Sequence, residues 1–374
     1  MDRIKITDNK AEQIAIAKDL MEEKKNKYPA STLEYIKNKI RGCMPGADES
    51  AVTDTMYITV YFYWVYGCTV DEYFMYRLFE KSYDEIKTYM LAHERVVYNQ
   101  HLNKEEDAHI LQNKFETYEL FKDDFKREMI LCRNEDDYPA FLAFVKRHPA
   151  FVVKPADSGC GNGVHKVDTA GLSEGELKQL FADLMGEKDR NKDKFNCGKF
   201  EHSILLEELI RQVPELAVVH PASVNGVRVT TVRVGDKVHI YEPWWKIGRG
   251  GQFVTSAVYG TLDAGIDAKT GIVDTKGFAE NLTSFAVHPD TGTKILGYQI
   301  PEWDALCELT TKLALRLENI AYVGWDMVLT PEGWSIMEGN FRGDFMWQMY
   351  RERGMKKEFE DLIGWKCEKE FWWQ

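Results

Sequence analysis

Tyr322-Val-Gly-Trp-Asp-Met-Val-Leu-Thr-Pro-Glu-Gly-Trp-Ser-Ile-Met-Glu-Gly-Asn340 decides the fold and points to the chemistry. Two apolar runs flank a Thr-Pro-Glu-Gly turn, the pattern of a β-hairpin. Side chains two apart on a strand share a face, so Glu338 and Asn340 point the same way. The turn suggests a three-residue loop, Pro331-Glu332-Gly333, with Gly333 in the left-handed region. Counting back from that loop sets Thr330 opposite Trp334, and Asp326 opposite Glu338. Two carboxylates and an amide oxygen then converge on one face of an otherwise apolar hairpin. Bare carboxylates placed so would repel one another and lose hydration. A hard divalent cation removes both problems, and Mg²⁺ is usually held by one or two carboxylates plus substrate phosphates. An ordinary exposed hairpin face would carry the same residues without a metal.

A second stretch works in the same direction. Phe151-Val-Val-Lys-Pro-Ala-Asp-Ser-Gly-Cys-Gly-Asn-Gly-Val-His-Lys-Val167 is a short strand ending in Lys154, a loop with glycines at 159, 161 and 163, and a second strand. Such a loop lets successive backbone N–H groups close on an anion, and Lys154 adds a fixed positive charge. It is not a P-loop, since no Gly-Lys-Ser/Thr leads into a helix. Nor is it a dinucleotide fingerprint, because the glycine spacing differs and a strand follows. Cys160 inside the loop is read as a small filler rather than a nucleophile. Alone the loop is a turn; upstream of a carboxylate hairpin it suggests a nucleotide held between two lobes.

Lys154-Pro-x-x-x-Gly-x-Gly-x-Gly163, Ile204-Leu-Leu-Glu-Glu-Leu-Ile210, Tyr322-Val-Gly-Trp-Asp326 and Met337-Glu-Gly-Asn340 follow one another in the order found in ATP-grasp enzymes. From roughly residue 105 to 350 the chain resembles the sugar-transfer-associated group of that superfamily. Further stretches of the resemblance are His220-Pro-Ala-Ser-Val-Asn-Gly-Val-Arg-Val-Thr230, Gly265-Ile-Asp-Ala-Lys-Thr-Gly271, His288-Pro-Asp-Thr-Gly292 and Gly297-Tyr-Gln-Ile-Pro301. The resemblance implies an α+β fold, two lobes gripping Mg-ATP, and a carboxylate-activating ligase working through an acyl phosphate. It makes Lys114 and Lys154 the nucleotide lysines, with Ser158, Gly159, Gly161 and Gly163 in the phosphate loop. Glu207, Glu208 and Ile210 fall on the adenine-clamping segment, and Glu215 resembles the ribose acceptor. Arg228 takes the place of the phosphoryl-contacting arginine, with Lys246 beside it as a second catalytic cation. Asp326, Glu338 and Asn340 match the metal ligands.

Alternation adds detail. Adjacent strand residues face opposite ways, so at most one of Glu207 and Glu208 enters the cleft. Arg228, Thr230, Val232 and Val234 share one face of a strand, whereas Arg233 lies on the other as a solvated residue. Gly235-Asp236 signals a two-residue hairpin turn. The chain departs from its relatives at Lys246, where an arginine is usual, at Thr255-Ser256 and Tyr259-Gly260, and at Phe341-Arg-Gly-Asp344. These positions lie where the acceptor substrate is met, so they leave its identity open.

The 374 residues suffice for two or three domains. A net charge of −12 argues against nucleic-acid binding and against an anionic membrane surface. Seven scattered cysteines, with no Cys-x-x-Cys, signal neither a disulfide frame nor a zinc site and fit a reducing, cytoplasmic compartment. No signal peptide is expected from the charged opening Met1-Asp-Arg-Ile-Lys-Ile6. Met56–Gly67 is apolar but short of the ~20 residues that span a bilayer, so a buried helix is expected. Thr69 and Glu72 are spaced as a capping box. The aromatics around them are expected in a core rather than as a sugar platform.

The expected organisation is a helical region over 1–110, a nucleotide lobe over 111–210, a metal lobe over 211–350 and a helical tail over 351–374. Helices are expected over Glu116–Arg127, Pro139–Arg147 and Pro301–Asn319, with a solvated loop at Gly186–Lys194. The favoured activity is ATP- and Mg²⁺-dependent ligation of a small-molecule carboxylate to an amine, in glycan or related small-molecule biosynthesis. The alternatives are a kinase acting on a sugar or polyol hydroxyl, with Asp344 or Asp263 as base, and a non-catalytic nucleotide-binding accessory protein.

Overall fold

Helix Glu49–Tyr66 starts where the Asp48 side chain accepts from the Ala51 N–H, and ends at Gly67, φ 72°. A side chain at Gly67 would meet the His93 Cβ at 2.8 Å, so the glycine serves both the left-handed turn and this close approach. Thr69 and Glu72 form the expected capping box. Tyr61, Phe62, Trp64 and Tyr73 pack as core. The C-terminal segment belongs to this helical unit, which comprises residues 4–102, 283 and 345–368. The Tyr98 hydroxyl donates to Glu360 at 2.6 Å, and the Lys356 ammonium pairs with Glu94 at 2.6 Å. No described helix is long and apolar enough to cross a membrane.

The computed structural model describes residues 4–156, 163–191, 203–253, 255, 260–279, 283–343 and 345–368. Ser158, Gly159, Cys160, Gly161, Ser256, Tyr259 and Asp344 lie outside them. The second unit spans residues 103–279 and 284–344. Its strands are β1 (Met129–Cys132), β2 (Ala150–Pro155), β3 (His165–Asp168), β4 (Ile204–Glu208), β5 (Val227–Val234), β6 (Lys237–Ile247), β7 (Leu262–Ile266), β8 (Val273–Phe278), β9 (Ser284–Phe285), β10 (Tyr322–Thr330) and β11 (Gly333–Asn340). They form two antiparallel sheets, ordered β1-β4-β2-β3 and β11-β10-β5-β6-β7-β8-β9.

Each sheet buries one face and turns the other to the site. In the smaller sheet Phe151, Val153, Ile204 and Leu206 pack on Phe141, Phe144, Phe181 and Leu184, from the helices Tyr138–Arg147 and Glu174–Asn191. Lys154 and Glu207 alternate onto the opposite face. In the larger sheet Val227, Val229, Trp245, Ile247, Trp325, Met327 and Ile336 form the core with Trp303, Leu306 and Leu313 of helix Trp303–Leu315. Burying an apolar side chain of this size contributes roughly 1.5–3 kcal/mol.

Several boundaries differ from expectation. The Glu116–Arg127 helix is broken into Lys114–Leu120 and Lys122–Phe125, with β1 following. Helix Glu174–Asn191 takes in the start of the Gly186–Lys194 segment, where a loop was expected. Helix Trp303–Leu315 is shorter than Pro301–Asn319, because Glu302 at φ 49° leaves helical geometry. The β10–β11 turn has two residues, not three: Thr330 pairs with Gly333 and Leu329 with Trp334. Asp326 still faces Glu338, because Met337 is bulged between the pairs Met327–Ile336 and Asp326–Glu338.

Candidate active site

The β10–β11 hairpin supplies one wall. Asp326, Gly324, Glu338 and Asn340 share the face opposite the Trp325 and Met327 core. On the neighbouring strand Arg228 pairs with Asp326 and Thr230 with Gly324, so the β5 side chains named by alternation fall on the same face. A second bulge sits in β6, where Glu242, at φ 41°, and Pro243 oppose the single residue Val229. It rephases β6, so that Trp244 lies beside Arg228, and Lys246 opposite Asp263 on β7, all on the site face. Two bulges therefore bracket the Arg228–Asp326 pair.

Arg228 grips Asp326 with both arms of its fork, Nε to Oδ1 at 2.5 Å and Nη2 to Oδ2 at 2.9 Å. Bidentate pairs of this kind are charge-assisted and directional. The Lys246 ammonium stands 3.4 Å from the same Oδ2, and the Trp244 ring centroid is 5.3 Å from the Arg228 guanidinium. Burial alone would raise the Asp326 carboxyl; Arg228 and then Lys246 outweigh it and hold it at about 2. Gly324 is small for a reason on this face: a Cβ there would lie 3.0 Å from Arg228 Nη1. Arg233 lies on the other face as expected, though its side chain donates to the Glu318 carbonyl.

The second wall is the smaller sheet. Lys154 on β2 pairs with Glu207 on β4. Arg127, just before β1, donates from Nε to Glu207 Oε1 at 2.5 Å. Burial would raise Glu207, but Arg127 and Lys154 together keep it below the usual carboxylate range. Lys154 is lowered, first by burial, with Glu207 opposing. Glu208 alternates away from this cluster: its carboxylate accepts from the Glu128 N–H at 3.1 Å and lies 3.9 Å from His148. Only the Glu207 side chain joins Lys154.

Lys114 opens its helix as expected, under an Asn113 cap. Its N–H donates to Ala156, and its ammonium stands 3.4 Å from Glu338. Lys114 thus meets a hairpin carboxylate, while Lys154 meets Glu207 on the smaller sheet. Gly163, at φ 73°, precedes β3. Ile210 lies just past β4. Glu215 is exposed on the short helix Pro214–Ala217, and its carbonyl accepts from the Tyr298 hydroxyl. Asn340 Nδ2 donates to the Gly324 carbonyl, which leaves its amide oxygen as the acceptor. Among the described residues no group of three or more His, Cys, Asp or Glu could hold a metal. A cation at the hairpin would take two carboxylates and an amide oxygen, completed by ligand oxygens; that hard-oxygen set fits Mg²⁺.

Two features escaped sequence reasoning. Arg127 belongs to no motif, yet it touches Glu207, the Phe125 carbonyl, Ser335 Oγ and the Ile336 carbonyl. The segment after Lys246 is clamped by groups from two motif stretches whose roles spacing alone did not disclose. Gly251 N–H donates to His220 Nε2 at 3.3 Å, and His288 Nε2 meets the Gly248 carbonyl at 2.8 Å. Gly248 N–H donates to Asn225, and Gly250 N–H to Asp290.

Three solved structures resemble this chain at low identity. D-alanine-D-alanine ligase from Helicobacter pylori is 17% identical, with a TM-score of 0.41; the match covers 68% of this chain and 61% of that one. D-alanyl-alanine synthetase A from Vibrio cholerae is 15% identical, with a TM-score of 0.39, over 67% and 60%. L-amino acid ligase from Bacillus licheniformis is 16% identical, with a TM-score of 0.36, over 67% and 50%. The chain therefore spans about three fifths of the first two and half of the third. No curated protein matches the sequence. The family model for sugar-transfer associated ATP-grasp matches residues 93–362, well over half of the chain, and this protein belongs to that family.

Proposed function

We propose that this protein is an ATP- and Mg²⁺-dependent ligase that joins a small-molecule carboxylate to an amine through an acyl phosphate. The observation that carries the reading is the linked cluster of Lys114, Arg127, Lys154, Arg228 and Lys246 around Glu207, Asp326 and Glu338. With Asp263 in register beside Lys246, five cations face four carboxylates, which leaves one positive charge in surplus in a mostly buried cluster. A polyanion entering between the sheets would neutralise it. Phosphoryl transfer needs positioning and charge stabilisation more than a side-chain nucleophile.

Asp326, Glu338 and the Asn340 oxygen would hold Mg²⁺, which when bound offsets charge on the β- and γ-phosphates. Lys114 and Lys154 would neutralise the phosphate chain, and the backbone of the Glu207–Ile210 segment would border the base. Arg228 and Lys246 would steady the phosphoryl in transfer. A substrate carboxylate oxygen attacks the γ-phosphorus as the bond to the ADP oxygen breaks. The amine then attacks the acyl carbon, phosphate leaves with its oxygen, and the ammonium proton passes to water. A role in glycan or related small-molecule biosynthesis is part of the same reading, supported by the sugar-transfer association in the family's description.

The second reading, direct phosphorylation of a hydroxyl, is favoured by one observation: Asp263 is buried and paired in register with Lys246 on the site face, where a base would be needed. Turnover assays on pools of amino acids, sugar acids and nucleotide sugars separate the two. The ligase releases ADP and free phosphate in equal amounts and yields a hydroxamate when hydroxylamine replaces the amine. A stable phosphate ester with no free phosphate would establish the kinase instead.

A further inference from the structure

Glu207 is held from both sides. Arg127 Nε donates to one oxygen at 2.5 Å and Lys154 pairs with the other, and the exposures of the three side chains are only 5%, 10% and 6% for Arg127, Lys154 and Glu207. A buried carboxylate with one cation would bind it tightly, since drawing that cation away leaves an uncompensated charge in a poor solvent for ions. A second cation changes this balance. Arg127 is suited to be the one that stays: arginine does not lose its charge, and its planar fork is fixed when several acceptors engage it. Nη1 donates to the Phe125 carbonyl at 3.0 Å, to Ser335 Oγ at 3.1 Å and to the Ile336 carbonyl at 2.5 Å, while the guanidinium lies 5.0 Å from the Phe125 ring centroid. Lys154 reaches Glu207 on a flexible stem.

We propose that Arg127 is a positioning residue, the permanent counter-ion of Glu207, which makes the Lys154 ammonium available to a nucleotide phosphate. The assignment rests on the reading of Lys154 as a phosphate lysine. The surroundings support it: Arg127, Lys154 and Lys114 crowd three cations around Glu207 and Glu338, and an arriving phosphate relieves their repulsion. The contacts to Ser335 and Ile336 place the same side chain on the strand that carries Glu338, so the two walls share one anchor.

The test is binding of ATP, and of adenosine as the phosphate-free control, to the full-length chain by calorimetry. Arg127→Gln keeps a donor for the Ile336 carbonyl and removes the charge. It should weaken ATP binding about tenfold or more while leaving adenosine within about twofold. Adding Glu207→Gln should restore ATP binding to within about threefold of wild type, because Lys154 then has no buried carboxylate to hold it. Equal weakening of ATP and adenosine, or no rescue by Glu207→Gln, would assign Arg127 a merely structural role and overturn the proposal. Should Arg127→Gln not fold, Arg127→Lys retains the charge and must bind ATP within about threefold of wild type; a tenfold loss sinks the assignment. Wild type binding ATP no better than adenosine would overturn the phosphate-lysine reading itself. Unchanged discrimination in Arg127→Gln would overturn only the Arg127 assignment.

Discussion

Asp326 on β10 faces Glu338 on β11 because Met337 is bulged out of the ladder, one residue on the turn side of Glu338. The bulge moves Glu338 from the phase of the buried Ile336 to that of Ser335, and so onto the site face. Glu338→Gln should therefore leave the fold intact and cut ATP turnover by about 100-fold or more. Asn340→Ala should shift the Mg²⁺ concentration for half-maximal rate upward with a smaller loss of rate. Near-normal turnover of Glu338→Gln at saturating Mg²⁺ would remove the metal reading.

Gly324 is where crowding tests Arg228. A Cβ would lie 3.0 Å from Nη1 and 3.2 Å from Cδ, so Arg228 must shift by a few tenths of an ångström to admit it. Gly324→Ala should lower kcat about tenfold and destabilise the fold by about 1–2 kcal/mol. A loss of stability with kcat unchanged would show that the Arg228 geometry is not used in the reaction.

Asp326 gives the acid limb of stability a definite sign. Its carboxyl is at about 2 in the fold and near ~3.9 when unfolded. A depressed carboxyl contributes stability that is full above the unfolded value and is lost as pH falls through the folded one. The contribution is roughly 2 kcal/mol, lost between about pH 5 and pH 2. Urea unfolding of Asp326→Asn should show a flatter pH dependence across that window, and a lower stability at pH 7.

The glycine segment after Lys246 should respond to pH near neutrality. His220 accepts from Gly251 through Nε2, so its proton sits on Nδ1 toward Ser223, at 2.8 Å. Burial first, then the neighbouring His288, lowers its pKa, while Asp290 opposes them. An imidazole kept neutral in the fold contributes stability present above its unfolded value, ~6.5, and lost as pH falls through the lower folded value. Stability should thus decline as pH falls below ~6.5, and His220→Gln should flatten the decline. Gly248→Ala attacks the same clamp sterically, since its Cβ would fall 2.6 Å from His220 Nδ1 and 1.9 Å from Ser223 Oγ. It should cost about 1–3 kcal/mol in urea unfolding.

Residue types and alternation made much of this legible, but for uneven reasons. The division of labour between Glu207 and Glu208 follows from strand geometry, and so does the separation of Arg228 from Arg233. The Asp326–Glu338 pairing came out of a loop count that the structure corrects. A three-residue turn with a regular ladder, and a two-residue turn with one bulge, consume the same twelve-residue interval between them. Spacing therefore determines the pair without revealing where the extra residue goes. Arg127 was illegible because its partners Glu207, Ser335 and Ile336 lie 80, 208 and 209 residues away. The clamp formed by His220 and His288 was hidden likewise, since both rings act on a third segment. β1 was missed because four residues after a broken helix carry too little pattern to reveal a strand.

The bulge at Met337 has a bearing on how copies of the chain behave toward one another. β11 is the outermost strand of its sheet, and a regular outermost strand invites a second molecule to extend it. Met337 interrupts the even row of backbone donors and acceptors, and the Phe125–Arg127 segment occupies part of it through Ser335 Oγ and the Ile336 carbonyl. The irregularity that aims Glu338 thereby also makes β11 a poor template for aggregation. Variants that straighten β11 or strip Arg127 from it stand to lose solubility along with chemistry.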